Sequence, residues 1–162
     1  FGQDFYMNLK WKRYVGKKTY FDSTYPLIYK GKILIATNGN KNNKKDLYDK
    51  LYVFDKDGNL LWSFSSPDGG DTDLNGVVAC DEYILTTSDE GYVYALSWSG
   101  KILWKTKLGK WPLAFSLYDF TGDGTPDVVV SGGYTIHLIN GKTGNVIWKF
   151  KTGDGIKSSP TI

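Results

Sequence analysis

This 162-residue chain is poor in several residue types: it has one cysteine, one methionine, one histidine and five prolines. A lone thiol, Cys80, excludes an intrachain disulfide. It sits in the apolar run 76–80, without the basic or helix-terminal setting that activates a thiol, so a buried, inert side chain is expected. Arginine is also scarce, since only Arg13 among the 20 basic residues is not lysine. Readers of nucleic acid use the guanidinium fork for bases and phosphates, so this balance, with a net charge of only +3, argues against such a partner. No apolar run approaches the roughly 18 residues of a membrane span. No apolar stretch behind a basic start marks a signal peptide, and the chain opens on Phe1 rather than Met, which leaves export undecided.

What is present is aromatic and glycine-rich. Aromatic residues make up 16% of the chain and apolar residues 41%, enough for a real core, while 19 glycines punctuate it. A tryptophan closes the same phrase three times, at Tyr52–Trp62, Tyr94–Trp104 and Ile136–Trp148. Each phrase is an apolar strand, a glycine-containing turn, two aliphatic residues and then Trp. The spacings are 42 and 44 residues, and Trp11 stands 51 residues before Trp62 in a similar setting. A period of this length marks a propeller or solenoid, because one such unit cannot bury its own apolar face.

Helical periodicity is absent nearly everywhere, and short β-rich runs alternate with Gly, Asn and Asp. The pattern predicts an all-β chain of four-stranded antiparallel blades, spanning 1–162 as one propeller or propeller fragment. The blades fall near 25–65, 76–107 and 112–151, with partial strands at 8–15 and 156–162. The count leaves the ring open, so either further blades of a longer propeller or self-association with another copy is expected. The segment 38–49 inserts Asn and Lys between two strands of the first blade and predicts a solvated loop.

The run 138–162, with Asn140, Gly144, Trp148 and Ser158-Ser159-Pro160, resembles the propeller repeat named for pyrroloquinoline quinone (PQQ) enzymes. Asp55–Trp62 and Ser97–Trp104 match it with a shorter turn. Asn140 stands where the family often has Asp. The resemblance covers nearly the whole chain and implies the fold. It also implies that Gly58/Trp62, Gly100/Trp104 and Gly144/Trp148 dock each blade against its neighbour, with the tryptophans mostly buried. A large indole is a strong apolar anchor, and its N–H needs an acceptor such as a carbonyl. Most members with such repeats bind no quinone. Those that do use an adjacent Cys-Cys pair, which a single cysteine rules out, so PQQ is not expected.

One motif carries chemistry. Asp119, Thr121, Asp123 and Asp127 place side-chain oxygens at positions 1, 3, 5 and 9 of a nine-residue run, Gly124 takes position 6, and Thr125 offers a carbonyl at position 7. Calcium wants roughly six to eight such hard oxygens. The pattern departs from the EF-hand, because Val130 stands where that loop needs Glu. It resembles instead the calcium loops of FG-GAP (integrin α-type) propeller repeats, with Thr121 in place of an acid or amide. Structural calcium held by Asp119, Thr121, Asp123, Thr125 and Asp127 is expected, and the competing reading is an Asp-rich turn held by side-chain-to-backbone hydrogen bonds. The 55–59 and 69–73 clusters lack ligand spacing. His137 alternates within a strand and pairs with no nucleophile motif, so it is expected to be structural.

These residues favour a non-catalytic binding or scaffold module, secreted or displayed at a cell surface, whose partner is a protein or surface ligand. The alternatives are a fragment of a PQQ-dependent dehydrogenase and a sensor or membrane-assembly propeller. No catalytic constellation is recognised.

Overall fold

The computed structural model describes residues 9–15, 25–38, 49–68, 73–109, 112–156 and 159–160. Among them are twelve strands and no helix. The first sheet holds β1 (Leu27–Tyr29), β2 (Lys32–Ala36), β3 (Leu51–Asp55) and β4 (Leu60–Phe64). The second holds β5 (Leu74–Ala79), β6 (Ile84–Ser88), β7 (Tyr92–Leu96) and β8 (Ile102–Lys107). The third holds β9 (Pro112–Tyr118), β10 (Asp127–Gly132), β11 (Thr135–Ile139) and β12 (Val146–Lys151). In each, consecutive strands are antiparallel neighbours, so every sheet is a simple meander. Contacts between sheets centre on β5, which meets β2 and β1 of the first sheet and β9 of the third, so that the first strands of the sheets face one another as the inner strands of an incomplete propeller. The 38–49 insertion lies mostly outside the described residues.

The core is built between sheets. Period-2 alternation gives each central strand two apolar faces, as expected where both sides are covered. Leu34, Ala36, Leu51 and Val53 of the first sheet pack with Ile84, Tyr94 and Leu96 of the second. The opposite face of the second sheet, with Leu85, Val93 and Ala95, packs with Val128, Val130 and Ile139 of the third. Cys80 is buried in this second cluster, and burial raises its thiol pKa. That is the inert setting its sequence context predicts.

The three repeat tryptophans share one register. Trp62 lies opposite Val53, Trp104 opposite Ala95 and Trp148 opposite Leu138. A register shift follows directly after each pair, so the aliphatic residue before every Trp is the extra residue of a bulge. The bulge re-aims the indole toward the next sheet.

There the indole meets a glycine one repeat later. A Cβ on Gly58 would fall within 2.9 Å of the Trp11 ring, one on Gly100 at 3.0 Å from Trp62, and one on Gly144 at 2.7 Å from Trp104. These glycines have φ of 80°, 83° and 75°, a region other residues enter at a cost. The indole N–H then donates to a carbonyl of the same turn. Trp11 reaches Lys56 at 3.1 Å, Trp62 reaches Trp98 at 3.1 Å, and Trp104 reaches Gly141 at 2.7 Å. Sheet-to-sheet docking is therefore a repeated lock of ring on glycine plus indole on carbonyl.

Two expectations need correction here. Trp104 is 9% exposed, but Trp148 is 46% exposed, because no described glycine turn lies in front of it. The chain at 9–15 forms no strand, although Trp11 fills the first lock and Arg13 donates to the Gly58 carbonyl at 2.6 Å. Of the segment 156–162 only residues 156, 159 and 160 are described. None lies in a strand, and the Pro160 carbonyl accepts from Ser116 on β9.

Candidate functional site

The rim formed by the β1–β2, β3–β4 and equivalent hairpins carries the predicted ligand residues. The loop between β9 and β10 brings Asp119, Thr121, Asp123, Thr125 and Asp127 together, and it folds around its own carboxylates. Asp119 accepts from the backbone N–H groups of Gly122, Asp123 and Gly124 at 2.7, 3.2 and 2.9 Å. Asp123 accepts from the Thr125 N–H at 2.9 Å, and these contacts hold its carboxyl below the usual carboxylate range. Asp127, fully buried at the start of β10, accepts from the Phe120 and Thr121 N–H groups at 3.0 and 2.9 Å. Gly122 and Gly124 supply the left-handed backbone that the curl requires, at φ of 70° and 84°.

The other oxygen of Asp127 ties this loop to the β11–β12 turn. It accepts from the Gly141 N–H at 3.0 Å and from the Asn140 amide at 3.2 Å. That amide also approaches Asp123 at 3.3 Å, while its oxygen accepts from Thr143. Asn140 is the position where the repeat pattern prefers Asp. Here an amide can donate to two carboxylates that a third carboxylate would repel.

Both oxygens of Asp119, Asp123 and Asp127 thus serve N–H donors. Among the described residues, no group of three or more His, Cys, Asp or Glu side chains is placed to hold a metal ion. The five predicted residues share one loop, in which the three aspartates accept from backbone N–H groups and Thr121 and Thr125 are among the donors. Such saturation satisfies a tight turn that would otherwise strand several amides.

The site extends across the sheet boundary through residues that sequence reasoning passed over. Tyr83, in the β5–β6 turn, donates its hydroxyl to the Pro126 carbonyl, and burial raises its pKa. A Cβ on Gly141 would collide with that carbonyl and with the Tyr83 hydroxyl, so only glycine fits. Gly141 also gives its carbonyl to Trp104, which meets Tyr83 edge-on at 6.4 Å. Nothing in the repeat spacing distinguishes Tyr83 or Gly141; both matter because the third sheet leans on the second.

Above this junction lies an open cleft of about 350 Å³. Leu103, Trp104 and Tyr83 give it an apolar floor, and Glu82 and Lys142 stand at its border with Thr125. Leu103 is exposed as the bulge residue before Trp104. His137 lies elsewhere, buried on β11 opposite Lys149 and Val130, and its pKa is lowered chiefly by burial.

No curated protein sequence matches the chain. Among solved structures, the computationally designed Ika8 protein superposes with a TM-score of 0.67 at 14% identity, over 86% of this chain and 39% of that one. BamB from Moraxella catarrhalis gives 0.59 at 17% identity, over 89% and 38%. A europium-containing methanol dehydrogenase gives 0.57 at 20% identity, over 78% and 24%. The chain therefore spans well under half the length of these structures, and at such identities they share its fold alone. The family model PQQ_2, described as outer membrane protein assembly factor BamB, matches residues 48–162. That match takes in the second and third sheets and the last two strands of the first, with all three repeat tryptophans, and the chain belongs to this PQQ-like β-propeller family.

Proposed function

We propose that this chain is a non-catalytic propeller module that holds a segment of a protein partner in the cleft between its second and third sheets. The observation that carries the reading is the cleft itself: an apolar floor of Leu103, Trp104 and Tyr83, bordered by one acid and one base, on turns clamped by hydrogen bonds. Rigid aromatic and aliphatic anchors ringed by polar groups suit peptide capture at low entropic cost. The family's description as an outer membrane assembly factor supports an envelope setting, secreted or at a cell surface. Among the described residues no helix is long and apolar enough to cross a membrane.

A photo-reactive residue at Leu103, exposed to an envelope extract, should give a discrete cross-linked protein band that Glu82→Lys or Lys142→Glu weakens. Equal labelling from an exposed position far from the cleft, such as Lys10, would sink the reading. Titration with PQQ, followed by absorbance, tests the dehydrogenase class directly, since a saturable spectral change would favour it.

For the loop 119–127 we propose a structural role in pinning the β9–β10 hairpin. Calcium held by Asp119, Thr121, Asp123, Thr125 and Asp127 is the competing form of that role, supported by three aspartates within nine residues. A melting temperature that rises with calcium, and stops rising in Asp123→Asn, assigns the cation. An unchanged melting temperature assigns the hydrogen-bonded turn.

A further inference from the structure

We propose that Asn140 is a site of deamidation, gated by the junction between the second and third sheets. When the junction opens, the Gly141 nitrogen converts the Asn140 side chain to aspartate or isoaspartate. While it stays closed, the same contacts hold the reaction back. The proposal does not depend on what fills the cleft.

The chemistry is intramolecular and needs only water. The Gly141 backbone nitrogen attacks Cγ of Asn140, a C–N bond forms, the Cγ–Nδ2 bond breaks, and ammonia leaves with the proton from Gly141. Water then opens the cyclic imide at either carbonyl, giving aspartate or, with one more carbon in the main chain, isoaspartate. Glycine favours the attack, since no Cβ crowds the nitrogen or restricts its backbone. The chain has three Asn-Gly steps, beginning at 38, 75 and 140. The first lies partly outside the described residues. Asn75 is 3% exposed and its amide donates to Asp89, so the second is shut away from water. Asn140 is only half-buried, in the turn between β11 and β12.

A ring of bonds restrains this third step. The attacking N–H donates to Asp127 at 3.0 Å, and a carboxylate there opposes the loss of the proton that attack requires. The leaving amide donates to Asp127 and Asp123 at 3.2 and 3.3 Å. Its oxygen accepts from the Thr143 N–H and hydroxyl, both at 2.9 Å. Attacker and target are thus each turned onto other partners. The Gly141 carbonyl is held in turn by Trp104 from the second sheet, at 2.7 Å. The turn reshapes for attack only when the loop and the indole release it. Conversion then sets a carboxylate against Asp123 and Asp127, or lengthens the main chain just before the carbonyl that Trp104 uses. Neither product keeps the amide donor, so the change is permanent.

Peptide mass spectrometry that resolves aspartate from isoaspartate tests this on the whole chain, incubated in mildly alkaline buffer below its melting temperature. The folded chain should convert at 140 at least about tenfold more slowly than the same chain in urea. Thr143→Val removes one exposed hydrogen bond and should speed conversion of the folded chain about fivefold, with unchanged circular dichroism. Tyr83→Phe touches neither reacting group but loosens the junction at the Pro126 carbonyl, and it should also speed conversion. The converted fraction, separated by its added negative charge, should melt below the unconverted chain. Equal rates with and without urea would overturn the inference, as would no effect of either substitution. Slower conversion in Asp127→Asn would also overturn it, by showing that Asp127 assists the attack instead of restraining it.

Discussion

Replacing Trp104 by alanine probes the interlock between sheets where it is most complete. The ring is 9% exposed, covers Gly144, meets Tyr83 edge-on and donates to the Gly141 carbonyl at 2.7 Å. Truncation removes the buried indole and leaves a void that the rigid glycine turns cannot fill, which for large aromatics costs about 3–5 kcal/mol. The orphaned carbonyl adds about 1 kcal/mol if water cannot reach it. Trp62→Ala should cost less, because that ring is only half-buried, although its lock is otherwise the same. Trp148→Ala, with no glycine turn before it, should cost under about 1 kcal/mol in the monomer, as exposed substitutions do. Urea unfolding followed by circular dichroism, at concentrations too low for self-association, orders the three variants by midpoint at constant slope. If Trp104→Ala and Trp148→Ala fall within about 1 kcal/mol of each other, the lock does not hold the sheets together and the reasoning fails.

Other expectations follow from single groups. Asp127→Ala strips a buried acceptor from the N–H groups of Phe120, Thr121 and Gly141, so thermal or urea melts should show a loss of about 3 kcal/mol. Asn140→Asp sets a third carboxylate against Asp123 and Asp127; it should destabilise the chain near neutral pH and recover part of that loss on acidification, read as a pH-dependent melting difference from wild type. His137 titrates below its ordinary value of 6.5, chiefly through burial and then through Lys149. A lowered folded pKa means that the unfolded chain takes up the proton first, so its contribution is complete above about pH 6.5 and is lost as pH falls through the folded value. His137→Gln should remove that part of the acid slope, and an unchanged difference between the two melting curves from pH 7 to pH 5 would refute it.

The repeat was legible because it is a matter of spacing. Strand, glycine turn, aliphatic pair and Trp recur with fixed offsets, and the register places Trp62, Trp104 and Trp148 equivalently on their sheets. The same offsets were silent about which glycine meets which indole. Gly144 and Trp148 are neighbours in sequence, yet Gly144 carries Trp104 from the sheet before, because the bulge turns each indole toward the following sheet. That shift by one repeat explains why Trp148 ends exposed. It could be seen only once the sheets were stacked.

The candidate site was half legible for a related reason. Asp119, Asp123 and Asp127 announce a loop rich in oxygens, and the alternation of acids with glycine predicts a tight curl whatever fills it. Whether those oxygens face a cation or the loop's own amides depends on how many N–H groups the curl leaves without partners. Here Gly122, Gly124, Thr125 and Thr121 all turn their amides inward onto the three aspartates. The second half of the site, Asn140 with Gly141 and Tyr83, belongs to turns 13 to 44 residues away from Asp127 along the chain. Gly141 and Tyr83 are unremarked in their own repeats, Asn140 stands out only as a departure from Asp, and the roles of all three arise from the third sheet leaning on the second. A carboxylate at position 140 would satisfy the repeat pattern better and the junction worse. The amide is therefore accounted for by its contacts rather than by the periodicity, and Asn140→Asp is the substitution that separates the two.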